Sequence, residues 1–322
     1  MTRRDLSMRL IAPPCFVLLA FGSASRAADY PSKPIELVVP ASAGGGTDTL
    51  ARAFSEAAKK HLPQPVIVVN KPGASGAIGM AEVLNAKPDG QKVGVIIAEL
   101  AILPSLGQIK FTADGFRLIA RLNADPSTVT VKADAPWNTV EEFLAEAKKR
   151  PGELKMGNSG NGSIWHLAAA ALEDKTGTKF LHVPFQGAAP AVLALLGGHI
   201  DAVAVSPAEV YSYVASGKFK VLAVMSDDRV AGFEHVPTLK ERNIDLSIGT
   251  WRGLAVPKNT PQDVVDVLSE ATKKTAEEPG FRNSLAKINL GYAYADANAF
   301  KAAIDHDSEL FKGLVGKLDL KN

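Results

Sequence analysis

Residues 35–48 read IELVVPASAGGGTD, and the reading of this stretch decides the fold. The apolar run from Ile35 to Val39 predicts a short buried strand. A turn follows from Ala41 to Thr47. Its three consecutive glycines, Gly44, Gly45 and Gly46, let the backbone bend tightly and expose its N–H groups. Beyond the turn, Leu50, Ala51, Ala53, Phe54, Ala57 and Ala58 recur at helical spacing. Strand, glycine turn, helix is the unit of an α/β protein. The start of such a helix presents unpaired N–H groups to an anion.

Working outward, the unit repeats. Val66 to Val69 predicts a second strand, Gly73 to Gly79 leads into a helix ending near Asn85, and Val93 to Ile97 predicts a third strand. This alternation implies parallel pairing with right-handed crossovers. The series then restarts. Val129 to Val131 predicts a strand, and Thr139 to Lys149 a helix, with Thr139 and Glu142 in capping-box spacing. Leu154 to Met156, Phe180 to Val183, Ile200 to Val205, Val221 to Val224 and Leu254 to Val256 predict further strands. Pro261 opens a helix at a favoured position, and Phe300 to Leu314 carries a last one. Two such series imply two α/β lobes. Ligands of open α/β sheets bind beyond the carboxyl ends of the strands.

The remainder of the chain narrows the function. With 322 residues, 46% hydrophobic and 22% charged, it is neither disordered nor a disulfide miniprotein. A formal charge of +2 argues against a nucleic-acid binder. Arg3, Arg4 and Arg9 precede an apolar run from Leu10 to Phe21, and small residues follow up to Ala27. That order predicts a cleaved secretory signal over residues 1–27. The leader holds four arginines against Asp5, so the mature chain carries about −1. Cys15, the sole cysteine, lies in the leader, so the mature chain has no thiol nucleophile and no disulfide. The mature protein is expected to be soluble and exported, with no metal and no cofactor.

Three strand-to-helix loops carry the candidate site. In the first, Ser42, Ala43, Gly44, Gly45, Thr47 and Asp48 offer backbone and hydroxyl donors. In the second, Asn158, Ser159, Gly160, Asn161 and Ser163 add amide donors, with His166 in the first helical turn. In the third, Phe185 offers an apolar wall and Gln186 a polar contact. None of the three contains Lys or Arg, so they predict carboxylate recognition by neutral donors and helix N-termini.

Taken in order, these motifs resemble the tripartite tricarboxylate transporter receptors, the Bug family of solute-binding proteins. The matching stretches include YPSKPI from Tyr30, VPASAGGGTD from Val39, VNKPGASGA from Val69, Gly157 to Leu167, VPFQG from Val183 and LLGGHID from Leu195. The resemblance implies a two-lobed, type II periplasmic-binding-protein fold, the Venus flytrap, with mixed sheets around an interlobe cleft. It implies one discontinuous lobe of residues 28–124 and 251–322, and a second of residues 125–250. It also implies capture of a small di- or tricarboxylate or related organic acid, and delivery to an integral-membrane permease. Ser206 falls at a further binding position of the family. Val205 stands before it where many relatives carry a polar residue, which favours a ligand without an amino group.

Other classes fit less well. An exported enzyme acting on a small carboxylate or ester would need a nucleophile, yet the G-x-S-x-G elbow is missing: residues 157–161 end in Asn161 and residues 73–77 in Ala77. No H-E-x-x-H occurs, and the glycine spacing is not that of a dinucleotide site. No catalytic residue is therefore assigned. A ligand-sensing partner of a membrane sensor kinase remains compatible with the same residues.

Overall fold

The structure, a computed structural model, describes residues 30–318. The signal peptide expected over residues 1–27 lies outside the described residues. In chain order the elements are β1 (Ile35–Val39), α1 (Gly46–Ala58), β2 (Val66–Asn70), α2 (Ala77–Leu84), β3 (Lys92–Ile97), α3 (Glu99–Ile102) and β4 (Phe116–Lys132). Then come α4 (Val140–Lys149), β5 (Lys155–Asn158), α5 (Ile164–Thr176), β6 (Leu181–Pro184), α6 (Ala188–Leu196), β7 (Ala202–Val203), α7 (Pro207–Ala215) and β8 (Phe219–Met225). The chain closes with β9 (Gly249–Pro257), α8 (Gln262–Glu277), α9 (Pro279–Lys287), β10 (Tyr292–Asp296) and α10 (Ala297–Leu318).

The opening unit forms as its sequence dictates. Leu37, Val38 and Val39 are fully buried in β1, and Leu50, Phe54 and Ala58 align along one face of α1 against the sheet. β1 pairs in parallel with β2 and β3, and β5 pairs in parallel with β6 and β7. Two antiparallel strands join these groups. β9 lies between β3 and β4, and β4 passes from one group to the other. Its residues Phe116 to Pro126 pair with β9, while Ser127 to Lys132 pair with β8. The result is a mixed α/β fold whose strand-to-helix loops face one another.

The sequence suggested only Val129 to Val131 for β4, yet the strand runs for 17 residues. Arg117, Arg121 and Asn123 interrupt its apolar pattern, and pairing to the distant β9 supplies what local pattern does not. Conversely, the expected strand Ile200 to Val205 shrinks to Ala202–Val203. Pro261 precedes α8 as its cap, one residue earlier than the helical position expected of it. Local patterning gave no sign of α3, α9 or β10.

Candidate functional site

The cleft is built where β1, β2, β3, β5 and β6 end. Its lining includes Ser42, Gly45 and Thr47 before and within α1, Gly73 and Ser75 before α2, Ser159 before α5, and Gln186 and Gly187 before α6. Ile97, Ile164 and Trp165 supply apolar surface. The cavity they enclose is small, about 50 Å³, room for a few waters. The two sides touch across it: Ser75 Oγ donates to the Asn161 carbonyl at 2.8 Å, and Ser42 Oγ donates to the Gln186 carbonyl.

Three helix starts converge here, those of α1, α5 and α6. Each carries a partial positive charge and N–H groups without a partner inside the helix, of which Gly46 N donates to Glu209 Oε1 at 3.4 Å and Ile164 N to Glu99. Of the residues expected at the site, Ser42, Gly45, Thr47, Ser159 and Gln186 line the cleft. Others hold the loops in shape. Asp48 accepts from Gly44 N and Arg52 Nε, both at 2.9 Å, and from Asn70 Nδ2 at 3.0 Å. Burial opposes its charge, but these donors outweigh burial and hold its carboxyl below the usual range. Asn158 Oδ1 accepts from Gly160 N at 3.0 Å. Ser163 caps α5 by accepting from His166 N at 3.2 Å. His166 Nδ1 accepts from Gly162 N at 3.1 Å, and burial together with neighbouring His182 lowers its pKa to about 4, so the ring is neutral. Ser206 forms a capping box with Glu209 at the start of α7. Ala43, Gly44 and Asn161 are exposed, Gly160 is half-buried at the lobe contact, and Phe185 packs against the core.

The larger departure from expectation lies beneath the loops. They hold no charge that faces the cleft, but Glu99, Glu209 and Arg252 also line it. Arg252 is 2% exposed and comes from the middle of β9. Its Nε donates to Thr47 Oγ1 at 2.9 Å, and its Nη1 donates to Asn123 Oδ1 at 2.6 Å and Asp125 Oδ2 at 2.9 Å. Its Nη2 lies 3.6 Å from Glu209 Oε1. Glu99 opens α3, one residue beyond β3, and accepts from Ile164 N at 3.1 Å, so a carboxylate from one side of the cleft sits on the start of a helix from the other. Burial pushes the Glu99 carboxyl up to about 7, with Arg252 opposing and Glu209 adding to the rise. Burial also raises Glu209, against the pull of Arg252.

These residues left signals in the sequence. An arginine inside the run WRGLAV, an acid two residues past VGVII, and an acid three residues past Ser206 are each uncommon at a core position. Their meeting at one point is a long-range fact: Arg252 and Thr47 are 205 residues apart.

Comparison with known proteins adds the family. The model of the tripartite tricarboxylate transporter family receptor matches residues 50–320. A Cupriavidus necator protein, the UPF0065 protein in the gbd 5' region, is 34% identical over 304 residues, covering 94% of this chain and 93% of its own. The crystal structure of a TctC solute-binding protein from Polaromonas is 62% identical, covers 89% of this chain and 99% of its own, and superposes with a TM-score of 0.67. The periplasmic binding protein BugD, at 30% identity, covers 90% of this chain and 99% of its own, with a TM-score of 0.86. A cleft of converging helix starts, in a chain matched by the family model over most of its length, establishes that this chain belongs to the tripartite tricarboxylate transporter receptor family.

Proposed function

We propose that this receptor captures a small organic carboxylate between two lobes outside the cytoplasmic membrane and hands it to a permease of the tripartite tricarboxylate type. The observation that carries the reading is the convergence of the α1, α5 and α6 starts on one cleft. Their N–H groups and dipoles favour an anion, at about 0.3–1 kcal/mol for each dipole. Charge-assisted hydrogen bonds from N–H and hydroxyl groups would add about 1.5–3 kcal/mol each. Ser42, Gly45, Thr47 and Ser159 are the donors we assign to the ligand.

The lobes we assign are residues 28–124 with 251–322, and residues 125–250. The switch of β4 from β9 to β8 at Pro126–Ser127 supports that division, since β9 returns the chain to the first group of strands. The comparisons support mobile lobes too. The pair at 62% identity superposes less well than the pair at 30%. Two rigid halves inclined differently give that inversion, because identity governs the backbone within each half and not the angle between them.

Among the described residues no helix is long and apolar enough to cross a membrane. We assign binding without turnover, because the matched family is one of receptors and a solved relative is a periplasmic binding protein. Thermal-shift screening of the mature chain against mono-, di- and tricarboxylates is the test. A ligand at a hundred times its Kd raises stability by about 2.7 kcal/mol. A flat response to every organic acid would sink the reading.

A further inference from the structure

Four of the six large apolar side chains left exposed among the described residues fall on matching elements of the two groups of strands: Ile67 on β2, Ile78 on α2, Leu181 on β6 and Leu193 on α6. The match is one of topology. β1 pairs in parallel with β2 and β3, and β5 with β6 and β7, so β2 corresponds to β6 and α2 to α6. In the strand order β2-β1-β3-β9-β4-β7-β5-β6 the joining strands β9 and β4 stand in the middle, with β2 and β6 at the two ends. The loops after these end strands, at Gly73 and Ser75 and at Gln186 and Gly187, line the cleft. α2 and α6 therefore edge the cleft on the side away from the joining strands.

This edge also lacks charge. Residues 72–81 and 183–198 contain no Asp, Glu, Lys or Arg, in a chain of which 22% is charged. A helix on a protein surface ordinarily turns charged and polar residues outward. Here α2 turns out Ile78, 54% exposed, and α6 turns out Leu193, 57% exposed. Pro72 and Ala74, in the loop before α2, are exposed as well, and Ala189, Pro190 and Leu196 of α6 are half-buried. The first charge past Ile78 is Glu82, which is taken by Lys92 Nζ at 2.5 Å and Lys71 Nζ at 3.3 Å. A Cβ at Gly73 would lie 2.5 Å from Ile78 Cδ1 and 3.9 Å from Gln186 Oε1, so Ile78 leans on the loop that faces Gln186 across the cleft. Leu193 stands roughly 8 Å along α6 from its first residue.

Resting on the permease reading above, we infer that the apolar edge of α2 and α6, with Ile78 and Leu193 at its centre, is the surface by which the receptor docks on its permease, against an uncharged apolar face of that partner outside the membrane. Three features point to that occupant. Contiguous exposed apolar surface marks an interaction site, and this one flanks the cleft from which a captured acid has to leave for the permease. It is divided between the two lobes we assign, so its halves form one surface only when the lobes stand together. A permease that must tell a loaded receptor from an open one needs such a divided surface, whereas pairing of two copies does not. It also offers no Lys or Arg to the anionic headgroups of a bilayer, which bind basic segments.

The test places photoreactive p-benzoylphenylalanine at position 78, and separately at position 193, of the full chain expressed in its native bacterium. After irradiation of the cells, adducts are identified by mass spectrometry. Both positions should join to a subunit of the permease. Leu193→Glu should cut the permease adduct from position 78 at least fivefold, and Ile78→Glu should do the same to the adduct from position 193. Both side chains are exposed and neither is among the donors assigned to the ligand, so each glutamate variant should answer to the same carboxylates as wild type in the thermal-shift screen. Adducts only with a second copy of the chain, adducts only with lipid, or none at all overturn the inference. So does a yield at one position that ignores the glutamate at the other. If the glutamate variants lose their response to carboxylates, the pair serves capture and not docking, and the inference falls as well. A wild type that responds to no carboxylate sinks the capture reading alone, since the adducts are scored without added ligand.

Discussion

Arg252 is the residue on which the floor of the site depends. It joins Thr47 on α1, Asn123 and Asp125 on β4, and Glu209 on α7 through one guanidinium. Removing it while keeping side-chain length, as in Arg252→Met, would leave Asp125 and Glu209 buried and short of a counter-charge. We expect a loss of about 3–5 kcal/mol, read from urea denaturation. Glu99 gives the site a pH dependence whose sign follows from its shift. An ordinary glutamate titrates at 4.5, and in the fold Glu99 titrates at about 7. The folded state thus binds the proton more tightly than the unfolded chain. That contribution is fully present below 4.5 and is lost as pH rises through 7. Wild type should therefore lose stability relative to Glu99→Gln between pH 5 and pH 8. Equal urea midpoints for the two proteins at both pH values would contradict the shift.

At the scale of elements, the strand-to-helix loops were legible because their glycines and caps are local. Gly160 has φ +126°, a conformation that only glycine adopts without strain, and a Cβ there would lie 2.6 Å from Ser75 Oγ on the opposing side of the cleft. Gly160→Ala should weaken ligand binding at least tenfold by calorimetry, with the circular dichroism of the fold retained. Gly45 differs. A Cβ there would meet Ser42 O at 3.7 Å and Ala189 N at 3.9 Å, ordinary contact distances, so the packing of the loop does not require glycine at this position. The helix caps at Thr139 and Ser206 follow sequence signatures and fold accordingly. The part of β4 before Val129, and all of β10, did not show themselves, because pairing to β9 and to β4, and not any local alternation, makes those segments strands.

For the whole molecule, the cleft lies between the two groups of strands that β9 and β4 join. Ser75 to Asn161, Glu99 to Ile164 and the ion pair of Lys317 Nζ with Asp174 Oδ2 at 2.6 Å join the residues we assign to the first lobe to those we assign to the second. Such contacts close or part together, so a saturating ligand should reduce the radius of gyration measured by small-angle X-ray scattering. An unchanged radius with the ligand bound would mean that the lobes do not move. By itself the sequence determined the α/β class, the order of the strand-to-helix units, the glycine loops and the helix starts aimed at an anion, since each rests on periodicity, turn chemistry or capping within a few residues. Only the tertiary structure decided that Arg252, Glu99 and Glu209 stand beneath those loops. A buried charge is tolerated only beside its counter-charge, and these partners are brought together across 65 to 205 residues by strand pairing that no local pattern encodes.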